Sequence, residues 1–341
     1  MPHKNSVTIR DVARKAGVSP GTASRAINNS PLVNEETRRR IMEVVEELNY
    51  TPNLVARRLS IGKTLVVAVI VPFFTRPGFS ERLSGVVSVL SQTEYDLVVH
   101  NIETPEERGD CFRVIPRRER ADGVLTLSLP PVDEETTYLA NASVPIVLID
   151  SGHPELTMFH QVTVDDVGGG QAATEYLIEL GHTRIAFVGD VINNPFNFVS
   201  SRDRYLGYRK AHQAAGIALR SEYYGEDQHG RREARNTAKK MLALADRPTA
   251  IFAASDTQAV GVLEAAREAR LRVPDDLSVI GYDDIEIADI MGLTTMRQML
   301  FESGQRGVEL LLETLENPDI KPVHEVLPTE LIVRDTTAPP P

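Results

Sequence analysis

Two short amphipathic helices joined by the turn Ala16-Gly17-Val18-Ser19 are written into residues 8–28, and they constrain this chain more than any other stretch. Thr8 can cap a first helix, whose apolar positions Ile9, Val12, Ala13 and Ala16 recur at helical spacing. Gly17 can take the left-handed conformation that ends that helix, and Val18 drops into the turn. Ser19 then caps a second helix with Pro20 at its first position, where the missing amide costs nothing. Ala23 and Ile27 face inward, and the small Ala13 and Ala23 let the helices cross closely. A third helix is expected from Asn34 through Ile41, Val44, Val45 and Leu48 to Asn49.

A helix-turn-helix of this kind lays its second helix in the major groove of a duplex. Arg25 is placed to read a guanine, because a guanidinium can donate twice to O6 and N7. Ser19, Thr22, Ser24 and Asn28 suit phosphate oxygens, which set register without reading sequence. Thr8, Pro20, Gly21 and Asn34 complete the surface expected to face DNA. A plain helical bundle with solvated polar residues would not require Ala-Gly-Val-Ser between two periodic helices.

Charge divides the chain the same way. Residues 1–63 hold eleven Lys/Arg against six Asp/Glu, whereas the remainder holds twenty-six against forty-two, within a net charge of −11. A basic module that can hold phosphates therefore precedes an acidic body that repels them. The single cysteine, Cys111, cannot form an internal disulfide, which suits a reducing cytoplasm. The longest apolar run, 65–74, is too short to span a bilayer, and no signal-peptide pattern opens the sequence.

Tyr50-Thr51-Pro52-Asn53 breaks the third helix, and residues 54–60 read as one more helix of two turns. Isolated helices below ~12–15 residues are marginal in water, so this one is expected to form only when supported. Two copies side by side in a minor groove would bring Val55 against its twin and Leu59 between base pairs. Unstacking costs roughly a few kcal/mol, offset by contacts to a bent duplex.

Val7-Thr8-Ile9, Asp11-Val12-Ala13, Ala16-Gly17-Val18-Ser19, Thr22-Ala23-Ser24-Arg25, Leu48-Asn49-Tyr50, Pro52-Asn53 and Ala56-Arg57 together resemble the lactose-repressor (LacI/GalR) family of bacterial regulators. The likeness continues to about residue 335. It implies a hinge helix with Leu59 as the wedge and Ala56 in the minor groove. It also implies a body similar to periplasmic sugar-binding proteins, with the chain crossing between two lobes near 163, 291 and 326. Pro20 and Gly21 depart from the pattern, since many members carry longer base-contacting side chains there, which puts more weight on Arg25.

From residue 65 onward apolar runs alternate with helical patterns. Strands are expected at 66–71, 96–99, 123–127, 145–149 and 161–164, then at 184–188, 250–253 and 277–281. Helices are expected at 81–90 and near 168–181, 203–216, 231–245 and 257–270. Two stacks of parallel βαβ units follow, with ligands bound beyond the carboxyl ends of strands. Those ends nominate Phe73 and Phe74 as aromatic surface for a sugar ring, with Asp150, Ser255 and Asp283 as polar contacts. Arg204, in Arg204-Tyr205-Leu206-Gly207-Tyr208, matches the family's effector-contacting arginine. Carboxylates beside an arginine suit polyhydroxyl ligands, because each carboxylate can accept from two hydroxyls. A strand-end Asp is otherwise often a helix N-cap, the bland reading of Asp165 and Asp256.

Enzymatic readings are weaker. Gly168-Gly169-Gly170-Gln171-Ala172-Ala173 can be written G-x-G-x-x-A with Asp190 beyond, yet Asp165 and Asp166 stand where phosphates need amides and no negative charge. Close helix packing is the better account of these glycines. The eight histidines show no metal spacing, no serine sits in G-x-S-x-G, and the adjacent Asp283-Asp284 cannot easily flank a glycosidic bond from both sides. A solute-binding transport module would require a signal peptide and no DNA reader.

The expectation is an all-α helix-turn-helix headpiece (1–49), a hinge segment (50–63), and an α/β periplasmic-binding-protein-like effector domain of two parallel-sheet lobes (64–335), followed by a tail (336–341). Lobe 1 would take about 64–163 and 292–325, and lobe 2 about 164–291 and 326–335. The expected function is a homodimeric repressor of a pseudo-palindromic double-stranded operator, controlled by a small-molecule effector. A carbohydrate is the first choice, with a nucleobase or sugar phosphate as the alternative and a sugar-processing enzyme as a distant one. No cofactor, metal or membrane partner is expected. Some relatives add a leucine-rich heptad helix that joins two dimers; residues 335–341 carry none, so a dimer is expected.

Overall fold

The computed structural model describes residues 7–51, 58, 61–152 and 155–341, so the hinge positions Val55, Ala56 and Leu59 lie outside the described residues. The chain divides into two compact units, Met1–Thr64 and Leu65–Pro341.

In the first unit α1 (Ile9–Ala16), α2 (Pro20–Ile27) and α3 (Glu35–Glu47) enclose a small core that includes Val12, Ala16, Ala26, Val33, Ile41 and Val44. Gly17 ends α1 at φ 66°, a conformation that a side chain would strain. Ala13 and Ala23 are buried, but Ile27 is only partly so; Ala26 takes the deeper inward position on α2. Arg38 stitches the loop before α3 by donating to the Asn29 side chain and to the carbonyls of Ser30 (2.8 Å) and Val33 (3.3 Å).

The second unit holds two six-stranded sheets of the same strand order. β1 (Val66–Pro72), β2 (Asp96–Ile102), β3 (Gly123–Leu127), β4 (Ile146–Ile149), β5 (His160–Val164) and β11 (His324–Leu327) form the first, ordered β11-β5-β4-β3-β1-β2. β6 (Ile185–Asp190), β7 (Tyr224–Asp227), β8 (Ala250–Ala253), β9 (Ser278–Asp283), β10 (Thr294–Arg297) and β12 (Glu330–Ile332) form the second, ordered β12-β10-β9-β8-β6-β7. Pairing is parallel throughout except for β10 with β12. The central strands are buried on both faces and read as continuous apolar runs, as parallel sheets covered by helices must.

The helices are α4 (Pro77–Leu90), α5 (Pro105–Val114), α6 (Asp133–Ala140), α7 (Asp166–Glu179), α8 (Ser200–Ala214), α9 (Arg231–Leu242), α10 (Asp256–Glu268), α11 (Glu286–Ile290) and α12 (Leu300–Glu316). Three helix pairs cross backbone on backbone, one of them α9 with α10, where a Cβ on Gly261 would lie 2.2 Å from the Arg231 carbonyl. A Cβ on Gly304 of α12 would lie 2.0 Å from the Arg82 carbonyl of α4, and one on Gly207 of α8 would lie 2.2 Å from the Val167 carbonyl of α7. Of the glycine run 168–170, Gly170 serves this packing, since its Cβ would strike the Arg204 backbone at 2.3 Å; a Cβ on Gly169 would meet the Tyr282 hydroxyl at 2.2 Å, and Asp165 caps the amide of Gly168 at 2.8 Å.

The chain passes between sheets after Val164, after Arg297 and after Leu327. The second passage corrects the expected crossing near 291. Thr294–Arg297 pairs with β9 in the second lobe, and its short polar sequence gave no apolar run to mark it as a strand. The tail, residues 336–341, is tied down along its length by two contacts. Thr336 donates to the Val279 carbonyl at 2.7 Å, and buried His182 meets the Ala338 carbonyl at 2.8 Å, which fastens the end of the chain to the second lobe.

Candidate functional site

On the first unit Ser19, Pro20, Gly21, Arg25 and Asn28 are exposed along one end and side of α2, while Thr22 and Ser24 are half-buried. Several of these polar groups also hold the unit together. The Ser19 hydroxyl accepts from the Thr22 amide at 3.1 Å, and Asn34 caps α3 through the Thr37 amide at 2.8 Å. Thr8 donates its amide and hydroxyl to Asp11 at 3.0 and 2.7 Å. Arg25 makes no ion pair with any described residue.

In the second unit the carboxyl ends of both sheets open onto one cleft. Three residues there are held at positive φ: Ser128 (51°) and Asp150 (53°) follow strands and Asp283 (116°) ends one. Non-glycine residues pay for that conformation, and such strain gathers at functional sites.

Each wall centres on a buried arginine. On the first, Arg82 of α4 is 2% exposed. It donates to Ser303 (2.9 Å), Ser128 (2.8 Å) and Asp150 (3.0 Å), and Ser128 donates in turn to Asp150 at 2.6 Å. On the second, Arg204 of α8 donates to Asp166 (2.8 Å), the Ala254 carbonyl (2.6 Å) and Asp283 (3.4 Å), with its guanidinium 3.8 Å from the centroid of the Tyr282 ring. Gln298 also donates to Asp283. Burial pushes the Asp166 carboxyl up to about 6 against the opposing pull of Arg204, and burial likewise raises Asp283. Burial works against the Arg204 charge, but Asp166 and Asp283 outweigh it and fix the guanidinium as a cation. Farther along the same wall Asp190 accepts from Gln258 (2.9 Å) and meets His229 at 3.1 Å.

Among the sequence-nominated residues, Asp150, Arg204, Ser255 and Asp283 line this cleft. Ser255 does so as the N-cap of α10, accepting from the Gln258 amide at 3.2 Å, so the cap belongs to Ser255 and not to Asp256. Asp256 is fully buried and accepts from Thr295 (2.6 Å) and the Ile285 amide (3.0 Å). The two aromatics are a correction. Phe73 packs its ring edge-on against Phe196 at 5.1 Å, while Phe74 lies over the outer face of α4 beside Ser84 and Val87. Phe79 and Phe198 line the cleft instead. Sequence reasoning also missed Arg76, Arg82, Asp190, His229 and Gln298. Position 82 falls on a helix where arginine usually marks a solvated face; the strand-end position of Asp190 is the one signal that could have found it.

Residues 191–199, between β6 and α8, reach from the second lobe into the first. Phe196 is seated in the first lobe's core with Phe112, Leu129 and Phe159, and its carbonyl accepts from Arg108. Arg108 is itself locked to Glu135 by two contacts of 2.7 Å.

No helix among the described residues is long and apolar enough to cross a membrane, and no cluster of metal-ligating side chains occurs among them. The chain matches the profile of bacterial regulatory proteins, lacI family, over residues 8–53, and that of the periplasmic binding protein-like domain over residues 174–337. It is 36% identical over 334 residues to the HTH-type transcriptional repressor PurR of Vibrio vulnificus, covering 96% of this chain and 98% of that one. A lac repressor dimer bound to operator and the anti-inducer ONPF superposes with a TM-score of 0.87 at 28% identity, over 98% of this chain and 100% of that one. A complex of the transcriptional regulator CelR with cellobiose matches with a TM-score of 0.71 at 31% identity, over 97% and 99% of the two chains. This chain belongs to the lacI family of bacterial regulatory proteins and is a DNA-binding, ligand-responsive transcriptional repressor, not an enzyme.

Proposed function

We propose that the chain acts in the cytoplasm as a homodimer on a pseudo-palindromic operator. Arg25 reads a base edge, and Thr8, Ser19, Pro20, Gly21, Thr22, Ser24, Asn28 and Asn34 supply the remaining headpiece surface at the DNA. Val55, Ala56 and Leu59 serve the minor groove. The effector is a polyhydroxyl small molecule, a carbohydrate, received in the cleft by Asp150, Arg204, Ser255 and Asp283. The observation that carries this reading is the pair of rigidly held carboxylates, Asp150 and Asp283, on opposite walls of one cleft, each anchored by a buried arginine. A ligand that bridges both walls favours one arrangement of the lobes, and only such a preference can alter DNA affinity. The cellobiose bound by the CelR neighbour supports the ligand class. Dimerisation is supported by exposed apolar residues on the body, with Val87, Val98 and Val99 on one lobe and Ile290 and Met291 on the other.

Selecting duplexes from a random pool and then titrating sugars against the selected complex tests the proposal. The expected result is a twofold-symmetric site whose affinity a cognate sugar changes by about 5–150-fold. Arg204→Lys keeps the charge but loses the forked contacts, and should bind the operator while losing the response. No preference for any twofold-symmetric duplex, with or without sugars, would refute it.

A further inference from the structure

We propose that the effector carries an anionic group, a carboxylate or phosphate ester, on its polyhydroxyl body, and that the wall built by Arg76, Arg82 and the start of α4 receives it. This rests on the reading of the cleft as the effector site. Arg76 is a half-buried cleft cation, with its guanidinium carbon 3.9 Å from the centroid of the Phe73 ring. It makes no ion pair or side-chain hydrogen bond with any described residue. The ring face attracts the cation but leaves all five N–H donors to be satisfied. Burial acts against the Arg76 charge, with Asp190 across the cleft favouring it, and Asp190 already has Gln258 and His229.

Two further features of the same wall point the same way. Arg76 is followed by Pro77, Gly78 and Phe79, the first turn of the fourteen-residue α4, which no side chain caps. The amides of Gly78 and Phe79 therefore lack intrahelical acceptors, and the helix end adds positive potential. One turn on, Arg82 spends Nε and Nη1 on Ser303, Ser128 and Asp150, while its buried Nη2 has no partner. The hydroxyls of a neutral sugar can accept from these donors, as Ser303 and Ser128 already do from Arg82, but they bring no countercharge to the half-buried Arg76. A carboxylate or phosphate can take two parallel N–H groups from a guanidinium. The opposite wall, with Asp190 and Asp283, offers acceptors for hydroxyls, so the cleft orients its ligand with the acid toward α4.

The test is binding to the full-length chain, by thermal shift and calorimetry, of glucose, gluconate, glucuronate and glucose 6-phosphate, with inorganic phosphate as the small-anion control. An acid is expected to bind more tightly than glucose, and gluconate or glucuronate against glucose 6-phosphate separates carboxylate from phosphate. Arg76→Gln, checked for folding by circular dichroism, should weaken that acid by about tenfold or more, and Arg76→Lys by less. Acid binding indifferent to Arg76→Gln, or no binding by any acid, overturns the inference. Glucose binding that is lost in Asp150→Asn but indifferent to Arg76→Gln would remove the acid group and leave the cleft as the effector site. Silence from the whole panel removes the acid group alone, since the operator titration above judges the cleft separately.

Discussion

The two lobes repeat one strand order but treat their central arginines differently. Arg204 is doubly countered: two carboxylates, a carbonyl and an aromatic face surround it, and the neighbouring Asp283 is further held by Gln298. Arg82 has one carboxylate and two hydroxyls, with a nitrogen to spare. The second lobe thus presents an arginine outnumbered by carboxylates, and the first an arginine matched by a single one. Repetition of a fold fixes where strand ends meet a ligand, while the charge count around each arginine decides which chemistry each half can accept.

The most severe way to break the comparison is to remove each guanidinium. Arg204→Met strands Asp166 and Asp283, so it should cost near the top of the ~3–5 kcal/mol seen on breaking buried pairs, and Arg82→Met near the bottom. Urea denaturation of the two variants measures the difference, and equal losses would mean that the arginines are equivalent. Ser128→Ala should cost less, about 1.5 kcal/mol, because Asp150 loses one charge-assisted hydrogen bond but keeps Arg82. A loss as large as that of Arg82→Met would place the hydroxyl, and not the guanidinium, at the centre of the first wall.

A pH dependence tests the second wall alone. With the Asp166 carboxyl raised to about 6 in the folded chain, mainly by burial, folding retains a proton that the unfolded chain has released. Its contribution to stability is then complete below an unfolded value of about 3.9 and declines as pH rises to about 6. Carbon-13 NMR of the side chain should show a midpoint near 6, and Asp166→Asn should flatten stability across that window. A midpoint near 4, the ordinary Asp range, would show that Arg204 fully offsets desolvation there.

The sequence made the helix-turn-helix and the doubled sheet legible because both rest on local patterns. Helical spacing and Gly17 marked the headpiece, and apolar runs such as those of β1, β3 and β8 marked strands. Short polar strands were invisible: Thr294–Arg297 is buried by its neighbours and not by its own composition. The strand-end rule brought Asp150, Ser255 and Asp283 to the cleft but failed for Phe73 and Phe74, because it locates the backbone and says nothing of where a ring finds its packing partner. Arg82 was unreadable for a different reason. It is buried by the crossing of α4 and α12 at Gly304, a contact between residues more than two hundred positions apart.

The reach of residues 191–199 into the first lobe bears on how the cleft can move. The three passages between lobes follow β5, β10 and β11, toward one edge of the sheets, whereas Phe196 follows β6 and settles beside Phe73, which follows β1, toward the other edge. The clamshell is therefore bound along its spine and buttoned at its fore-edge. Parting the halves means lifting an aromatic ring out of a foreign core, at roughly 1.5–3 kcal/mol for the apolar surface alone. A guest molecule entering between the walls must undo that button or slip past it.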